Sequence, residues 1–533
     1  MASAKPKLTE KAKPKLTEKL KTEACKTKTE TCKTENRRME SANDLKDKTA
    51  KGLLWGMANN GATQLLNIVF GIILARLLSQ EDYGLASELA IFSAIAAALQ
   101  ESGFISALTN RKNATHEDYN SVFWFNISMS ALLYVILWFS APLIVRFFGD
   151  SELLWLSRYA FLGFFFASFS ITPRAILFKQ MRVKEQAIIG VIALIISGAV
   201  GITMALLGMS YWSIVTQAMI YVTVVSILSW KYSGFCPSFH FSFQPIKEMF
   251  GFSCKLLITN IFNCINNKLF TLVFGYFYTK NMVGTYDQAD KWNKMGSQLI
   301  TGMVQGVAQP MFVQVGDDPE RLQRVFRKML RFTCFVAFPA MFGLALVAKE
   351  FIVIAVGEKW LSSAEMMQLL CIAGAFMPIT ALYFNFLISR GRSDVYMWNI
   401  ISQGLVILGL LVAVKKFGWM LDFSLFTFHI SLSDVRLMVV CYVVVYILWL
   451  FIWHAFLKRE IHLGFLKAIK DLLPFALIAA ATMILTYFLT RGIENIYLLL
   501  VVRVLMASVI YVVAMWLSGA KIFKECIGYL RKK

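Results

Sequence analysis

Residues 251–312 read GFSCKLLITNIFNCINNKLFTLVFGYFYTKNMVGTYDQADKWNKMGSQLITGMVQGVAQPMF, two long apolar runs with charges inside them. The first run, about Gly251–Tyr278, contains Lys255 and Lys268. The second, about Thr285–Phe312, opens with Asp287, Asp290, Lys291 and Lys294. On a helix the last four share one face, and Asp287 is spaced to pair with Lys291. Asp290 is spaced in the same way to pair with Lys294. Membrane helices keep ionisable groups only where they face a bundle interior or a water-filled cavity, so this stretch predicts one side of a polar cavity.

The rest of the chain has the composition of a membrane protein. Of its 533 residues 57% are hydrophobic and 16% are charged, and the mean hydropathy is +0.58. Soluble domains have about a quarter of their residues charged. Because apolar runs of spanning length recur along nearly the whole chain, we predict an all-α polytopic membrane protein with about fourteen transmembrane helices. Two six-helix lobes and two additional C-terminal helices account for that number.

The two lobes are predicted from an internal duplication. LLSQEDYGLASELA around Gly84 resembles FYTKNMVGTYDQAD around Gly284, and ILFKQMRVKEQAIIG around Arg182 resembles NFLISRGRSDVYMWN around Arg392. The matches occur in the same order, and six helices per unit would give both units the same orientation, as in transporters built from parallel repeats. The predicted divisions are a disordered lysine-rich tail at 1–48, lobes at 49–232 and 233–460, and two helices with a basic end at 461–533.

The net charge of +21 does not indicate nucleic-acid binding. Outside the tail, most lysines and arginines lie in alternate short loops, as the positive-inside rule requires, and both termini are therefore predicted to be cytoplasmic. A further basic stripe, from Arg321 to Arg331, predicts a surface helix that begins at Asp318 and contacts either lipid phosphates or water. The nine cysteines show no metal-binding spacing, so neither a cofactor nor a metal site is expected.

No enzymatic motif is present, and the intramembrane charges are the better functional candidates. Lysine or arginine in a cavity suits an anionic cargo with phosphate or carboxylate oxygens. The candidate substrate-binding residues are Lys268, Lys291, Lys294, Arg76, Asn263 and Asn267. The candidate ion-coupling residues are Asp287, Asp290 and Glu88. Other interpretations stay open: Arg76 can extend to the membrane interface, and Lys291 and Lys294 can serve structural pairing as well as ligand binding.

Three stretches carry a family resemblance: ARLLSQEDYG… at Ala75–Asn126, ALLGMSYWSIVTQ at Ala205–Gln217, and GTYDQADKWNK… at Gly284–Arg331. They resemble the polysaccharide transporter branch (O-antigen and colanic-acid exporter type) of the multidrug/oligosaccharidyl-lipid/polysaccharide flippase superfamily. The resemblance implies two lobes around a central cationic cavity in the bacterial inner membrane. It also implies an undecaprenyl-diphosphate-linked oligosaccharide as cargo, proton or sodium coupling, and contact with membrane lipids and other polysaccharide-assembly proteins. The first lobe departs from a fully cationic pattern, because its second span has Glu88 where the second lobe has lysines.

Two alternatives remain beside this transporter hypothesis. The first is an ion-coupled drug extruder of the same superfamily, which would need a compact site for small cations. The second is a membrane glycan polymerase or ligase acting on the same lipid carrier. Polymerised product would indicate the enzyme, whereas reorientation of an unchanged head group would indicate the flippase.

Overall fold

The structure, a computed structural model, describes residues 61–101, 108, 115–180, 182–238, 241–315, 318–417, 435–519 and 522–523. These residues form helices and their short connections, and none of them lies in a β-strand. The predicted tail at 1–48 and the start of the first predicted helix lie outside the described residues. Over the described part, the predicted all-α fold class is confirmed.

In the described part of the chain, most successive helices are separated by only a few residues. The first lobe contains α1 Gly61–Leu77, α2 Gln80–Glu101, α3 His116–Phe148, α4 Leu153–Lys179, α5 Val183–Leu206 and α6 Trp212–Ser233. The second lobe contains α7 Gln244–Phe277, α8 Lys280–Val315, α9 Pro319–Leu346, the short α10 Ala348–Ala355, a 3₁₀ turn Glu358–Trp360, α11 Leu361–Ser389, α12 Ser393–Phe417 and α13 Val435–Ile461. The last two helices are α14 Phe465–Leu489 and α15 Ile496–Leu517.

Ten helices among the described residues are long and apolar enough to cross a membrane, and α1 is a shorter apolar helix. Helices α2, α7 and α8 are 22, 34 and 36 residues long but are more polar. The predicted total of about fourteen transmembrane helices stays a prediction. The predicted divisions at 232–233 and 460–461 fall within a residue of the ends of α6 and α13.

Two predicted boundaries were wrong, and both errors concern helices that continue where a break was expected. The basic helix that begins at Asp318 is not a separate surface helix, because α9 runs without interruption from Pro319 to Leu346. Asp318 does cap it as predicted, accepting hydrogen bonds from the backbone N–H of Glu320 and Arg321. The aromatic residues and the proline of SFHFSFQPIKEMF, which ends at Phe250, predict an interfacial lead-in and not part of a span. Its last seven residues instead form the first turns of α7, where the proline is tolerated.

We name the end of the bundle at which α1 ends and α2 begins the distal end, and the opposite end, with most of the basic loops, the basic end. At the distal end the two lobes meet through backbone. A Cβ on Gly84 of α2 would overlap the carbonyl oxygen of Lys280, and a Cβ on Gly284 of α8 would overlap that of Gln80. Such reciprocal contacts are consistent with the predicted duplication, because a two-fold axis between the helices would produce them.

The connection between α1 and α2 is also held by the second lobe. Arg76 donates from Nε to the carbonyl of Ala355 (2.7 Å) and from Nη2 to that of Ile354 (2.5 Å). In return, Lys359 Nζ donates to the carbonyl of Arg76 (2.9 Å), and the indole of Trp360 donates to that of Ala75 (2.8 Å). The structure is therefore closed between the lobes at the distal end.

The last two helices are fixed to the second lobe by ion pairs at both ends. At the distal end Arg503 of α15 lies 2.7 Å from Glu350 of α10, and both side chains are buried. At the basic end Asp471 of α14 contacts Arg327 (2.5 Å) and Arg331 (3.0 Å) of α9. The basic stripe was predicted to contact lipid phosphates or water. For these two arginines both alternatives were wrong, because they bind the carboxylate of Asp471.

Candidate functional site

The charged residues of α7 and α8 come together between those two helices. Lys268 Nζ lies 3.2 Å from Asp287 Oδ1, and the two side chains are 27% and 20% exposed. Lys268 is nine residues from the distal end of α7, so its Cα lies about 14 Å inside that end. A lone lysine at such depth would cost at least about 2.5 kcal/mol. The ion pair with Asp287 offsets this cost, so Lys268 has a structural partner.

Lys294 is likewise neutralised by an acidic neighbour. Its Nζ lies 2.6 Å from Asp290 Oδ2, one helical turn away, and donates to the backbone carbonyl of Asn267 at 3.2 Å. The predicted pairing of Asp290 with Lys294 is thus confirmed. The predicted pairing of Asp287 with Lys291 was wrong, because Asp287 reaches across to α7 and binds Lys268.

Lys291 has no carboxylate and no hydrogen-bond partner among the residues that the structure describes. Its ammonium group points away from α7 and toward the first lobe. A Cβ on Gly71 of α1 would lie 2.8 Å from Lys291 Nζ. The same Nζ lies 6.0 Å from the ring of Tyr83 on α2 and 5.9 Å from that of Trp292. Aromatic faces attract a cation but leave its charge intact.

The charge balance of the cluster follows from these contacts. Three lysines and two aspartates leave one positive charge, and the geometry assigns it to Lys291, between α8 and the hairpin α1–α2. An unneutralised ammonium group inside a membrane bundle can bind an anionic oxygen of a ligand through charge-assisted hydrogen bonds.

Some asparagines of α7 contact α12, and another lies with the lysine cluster. Asn263 is hydrogen-bonded to Tyr396 of α12. Asn266 donates to the carbonyl of Ile400, also on α12, at 2.7 Å. Asn267 is exposed on the side of α8. Of the two predicted asparagines, only Asn267 therefore lies with the lysine cluster, whereas Asn263 contributes to the packing of α7 on α12.

The remaining two candidates lie apart from the lysines. Arg76 is bound to the carbonyls of α10 at the distal end. Glu88 is 4% exposed and packs where α2 meets Gly275 of α7, and its Oε2 has no partner in the described part of the chain. Substrate contact by Arg76 stays a prediction, and so does ion coupling by Glu88.

Sequence reasoning missed several residues of this region. Gln288 and Asn293 of α8 are fully buried, and neither amide has a hydrogen-bond partner within the described residues. The Oδ1 atom of Asn293 lies against Gly374 of α11, which has no side chain there. The polarity of α8 was visible in the sequence, but the position of Gly71 and Tyr83 beside Lys291 depends on how the two lobes pack.

Two surface crevices in the described part of the protein are of a different kind. One, of about 680 Å³, lies between α9, α11 and α14, and the other, of about 400 Å³, lies between α4 and α6. Neither is lined by a charged residue, so neither suits a charged head group. Within the described residues, no cluster of histidine, cysteine or acidic residues could hold a metal ion.

Comparison with known proteins identifies relatives of the chain. Residues 73–365 match the family described as polysaccharide biosynthesis protein. The lipopolysaccharide biosynthesis protein WzxC of Escherichia coli is 24% identical over 381 residues, which is 70% of this chain and 77% of WzxC. The succinoglycan biosynthesis transport protein ExoT of Rhizobium meliloti is 25% identical over 64% of this chain and 70% of its own length.

Solved structures give the same fold. The lipid II flippase MurJ, in an inward closed conformation, matches with a TM-score of 0.70 at 14% identity, over 89% of this chain and all of MurJ. A MATE family transporter of the MOP superfamily matches with a TM-score of 0.56 at 14% identity, over 79% of this chain and 95% of its own. At this identity the two solved structures show the fold, that of a multi-pass membrane protein. Among the relatives in sequence, ExoT is a transport protein by name. Because the family match covers more than half of its residues, the chain belongs to the polysaccharide biosynthesis protein family.

Proposed function

We propose that the protein moves a lipid-linked, diphosphate-bearing oligosaccharide across the bacterial inner membrane by alternating access. The observation that carries this proposal is Lys291 at the junction of the two lobes, a cation that has no counter-ion among the described residues. A diphosphate supplies the opposite charge that the protein does not. The polyprenyl chain stays in lipid while the charged head passes between the lobes.

Movement of the two lobes relative to each other would carry the head group from one side of the membrane to the other. The distal end is closed by the contacts of Gly84 and Gly284 and by the hydrogen bonds of Arg76. In the proposed cycle, substrate enters from the basic end, its diphosphate contacts Lys291, and the distal contacts separate to release it. Lys268 and Lys294 hold the cluster in place, because their charges are balanced by Asp287 and Asp290.

The basic end is proposed to face the cytoplasm, with both termini there. The supporting observation is that Arg182, Arg390 and Arg392 lie in connections at that end, and that Lys458 lies there in the last turn of α13. The positive-inside rule places such loops in the cytoplasm. Labelling of a cysteine introduced at Arg392 only after the membrane is made permeable would agree with this orientation, and labelling from the outside of intact cells would contradict it.

The experiment that tests the function measures flipping of a fluorescent undecaprenyl-diphosphate sugar by the full-length protein in vesicles. We expect Lys291→Ala to lower the flipping rate at least about tenfold, the loss of one strong charge-assisted contact. Lys291→Arg should retain most of the rate. The control is Lys467→Ala, at an exposed lysine at the start of α14.

The nature of the cargo is tested with the same vesicles. A sugar on a neutral lipid should move no faster with Lys291 present than absent, because it lacks the diphosphate. An unchanged rate of diphosphate-lipid flipping in Lys291→Ala would overturn the role of this lysine. Transport of a small cationic drug, without any flipping of the lipid-linked sugar, would overturn the proposed function.

A further inference from the structure

On the lipid-facing side of the first lobe, Arg158 of α4 lies in a corner made by two tryptophans. Its guanidinium carbon is 4.5 Å from the ring centroid of Trp138 on α3 and 5.0 Å from that of Trp155 on α4. The two indole planes are nearly perpendicular, at 80°, so that together they enclose the arginine on two sides. Trp155 is 61% exposed, which places the corner on the outer surface of the bundle.

The hydrogen-bonding groups of this corner are unused. Arg158 has no ion pair in the described part of the protein, and its buried Nε has no acceptor there. The indole N–H groups of Trp138 and Trp155 also have no acceptor among the described residues. The acidic residues nearest along the chain, Asp150 and Glu152, contact Lys280 instead. The guanidinium, with its permanent positive charge, and two indole rings that each carry an N–H donor therefore lie together without an anion among the described residues.

The depth of Arg158 determines what can reach it. Arg158 is five residues into α4, which begins at Leu153 at the distal end, so its Cα lies about 7–8 Å inside that end. Side chains on a helix lean toward its N-terminus, which for α4 is the distal end. An arginine at this depth reaches the level of the lipid head groups, where tryptophan is also enriched.

We propose that Arg158, Trp138 and Trp155 form a binding site for the phosphate of a phospholipid in the distal leaflet. The planar guanidinium donates two parallel hydrogen bonds to the phosphate, and the indole N–H groups donate to phosphate or ester oxygens. The rings hold the guanidinium in position through cation–π contact. This site lies on the outer surface of the first lobe, and its occupancy does not depend on the transport of any cargo.

The test measures lipid retention by the purified full-length protein with native mass spectrometry, using dioleoyl-phosphatidylglycerol and, as a phosphate-free probe, dioleoylglycerol. We expect the unmodified protein to retain one more phosphatidylglycerol than Arg158→Ala at limiting lipid, with an affinity difference of about tenfold. The matched control is Arg174→Ala, an exposed arginine at the other end of α4, which should retain as much as the unmodified protein.

Two milder variants keep the test decisive should Arg158→Ala fail to fold. Arg158→Lys keeps the charge but loses the planar pair of donors, and Trp155→Leu removes one ring, so both should retain less phosphatidylglycerol. Equal retention by all variants, or equal retention of dioleoylglycerol and phosphatidylglycerol by the unmodified protein, would overturn the proposal.

Discussion

The hairpins α1–α2 and α7–α8 correspond to each other at an offset of 200 residues, as Gly84 and Gly284 show. Their backbones make the same reciprocal contact at the distal end. Their chemistry differs at the centre of the membrane. The second hairpin has Lys268, Asp287, Asp290 and Lys294 at positions where the first has Ile68, Ser87, Ala90 and Ala94.

This difference shows how a duplicated frame can hold one charged site. Two small residues of the first hairpin lie beside charges of the second. One is Ser87, whose hydroxyl is hydrogen-bonded to Asp287. Gly71 likewise leaves room for the ammonium group of Lys291. One repeat supplies the charges and the other supplies the surface against which they lie.

The shared feature of the two hairpins, the glycine contact, should give the largest effect when it is changed. In Gly84→Val a side chain would overlap the backbone of α8, which cannot give way locally. We expect the closed distal end to be destabilised by about 1–3 kcal/mol or more, and flipping to be lost. The measurement is labelling of a cysteine placed at Ser87, which should become accessible from the distal side.

Two further variants show whether the effect comes from the contact. Gly284→Val should behave like Gly84→Val, because the contact is reciprocal. Gly302→Ala on α8, where an added Cβ meets nothing within 4 Å, should be neutral or slightly stabilising. Normal activity and unchanged labelling in Gly84→Val would show that the closed contact is not part of the cycle.

The next effect concerns the charged pair that only the second hairpin has. Lys268→Met leaves Asp287 without its partner, and the free energy of unfolding should fall by on the order of 1–3 kcal/mol for this partly exposed pair. The double variant Lys268→Met/Asp287→Leu removes both charges of the pair and should recover most of that loss. Thermal unfolding in detergent measures both.

The outcome of that pair of variants separates structure from function. Recovery of both stability and flipping in the double variant would agree with a structural role of Lys268. Recovery of stability without flipping would instead place Lys268 among the residues that contact substrate.

How well each contact could be predicted depends on how far apart its two residues lie in the sequence. The pair Asp290–Lys294 follows from helical spacing alone and was predicted. Asp287 had two lysines within reach, one on its own helix and one on α7, and only packing decides between them. Arg327 binds Asp471, 144 residues away, so its sequence neighbourhood gave no signal of its partner. The fold class was predictable because hydropathy determines it residue by residue.

A smaller effect is expected from the space beside Lys291. Gly71→Ala adds a Cβ 2.8 Å from the ammonium group, which must shift, while the backbone of α1 stays in place. The flipping rate should fall about three- to tenfold with no loss of stability, corresponding to at most about 1.4 kcal/mol. Gly61→Ala, on the same helix with open space around it, is the control. An unchanged rate in Gly71→Ala would show that the position of the ammonium group is not important for transport.

The smallest structural effect should come from making position 88 of the first hairpin equal to its counterpart, Gln288. Glu88→Gln keeps the volume of a buried side chain whose Oε2 has no partner among the described residues, so stability should change by less than about 1 kcal/mol. If Glu88 carries the coupling ion, the rate of the variant should no longer rise when a proton or sodium gradient is imposed on the vesicles. Glu365→Gln, at an exposed carboxylate paired with Arg436, should keep the response to the gradient. A gradient response that survives in Glu88→Gln would leave Asp287 and Asp290 as the candidates, and ion coupling would then belong to the charged hairpin alone.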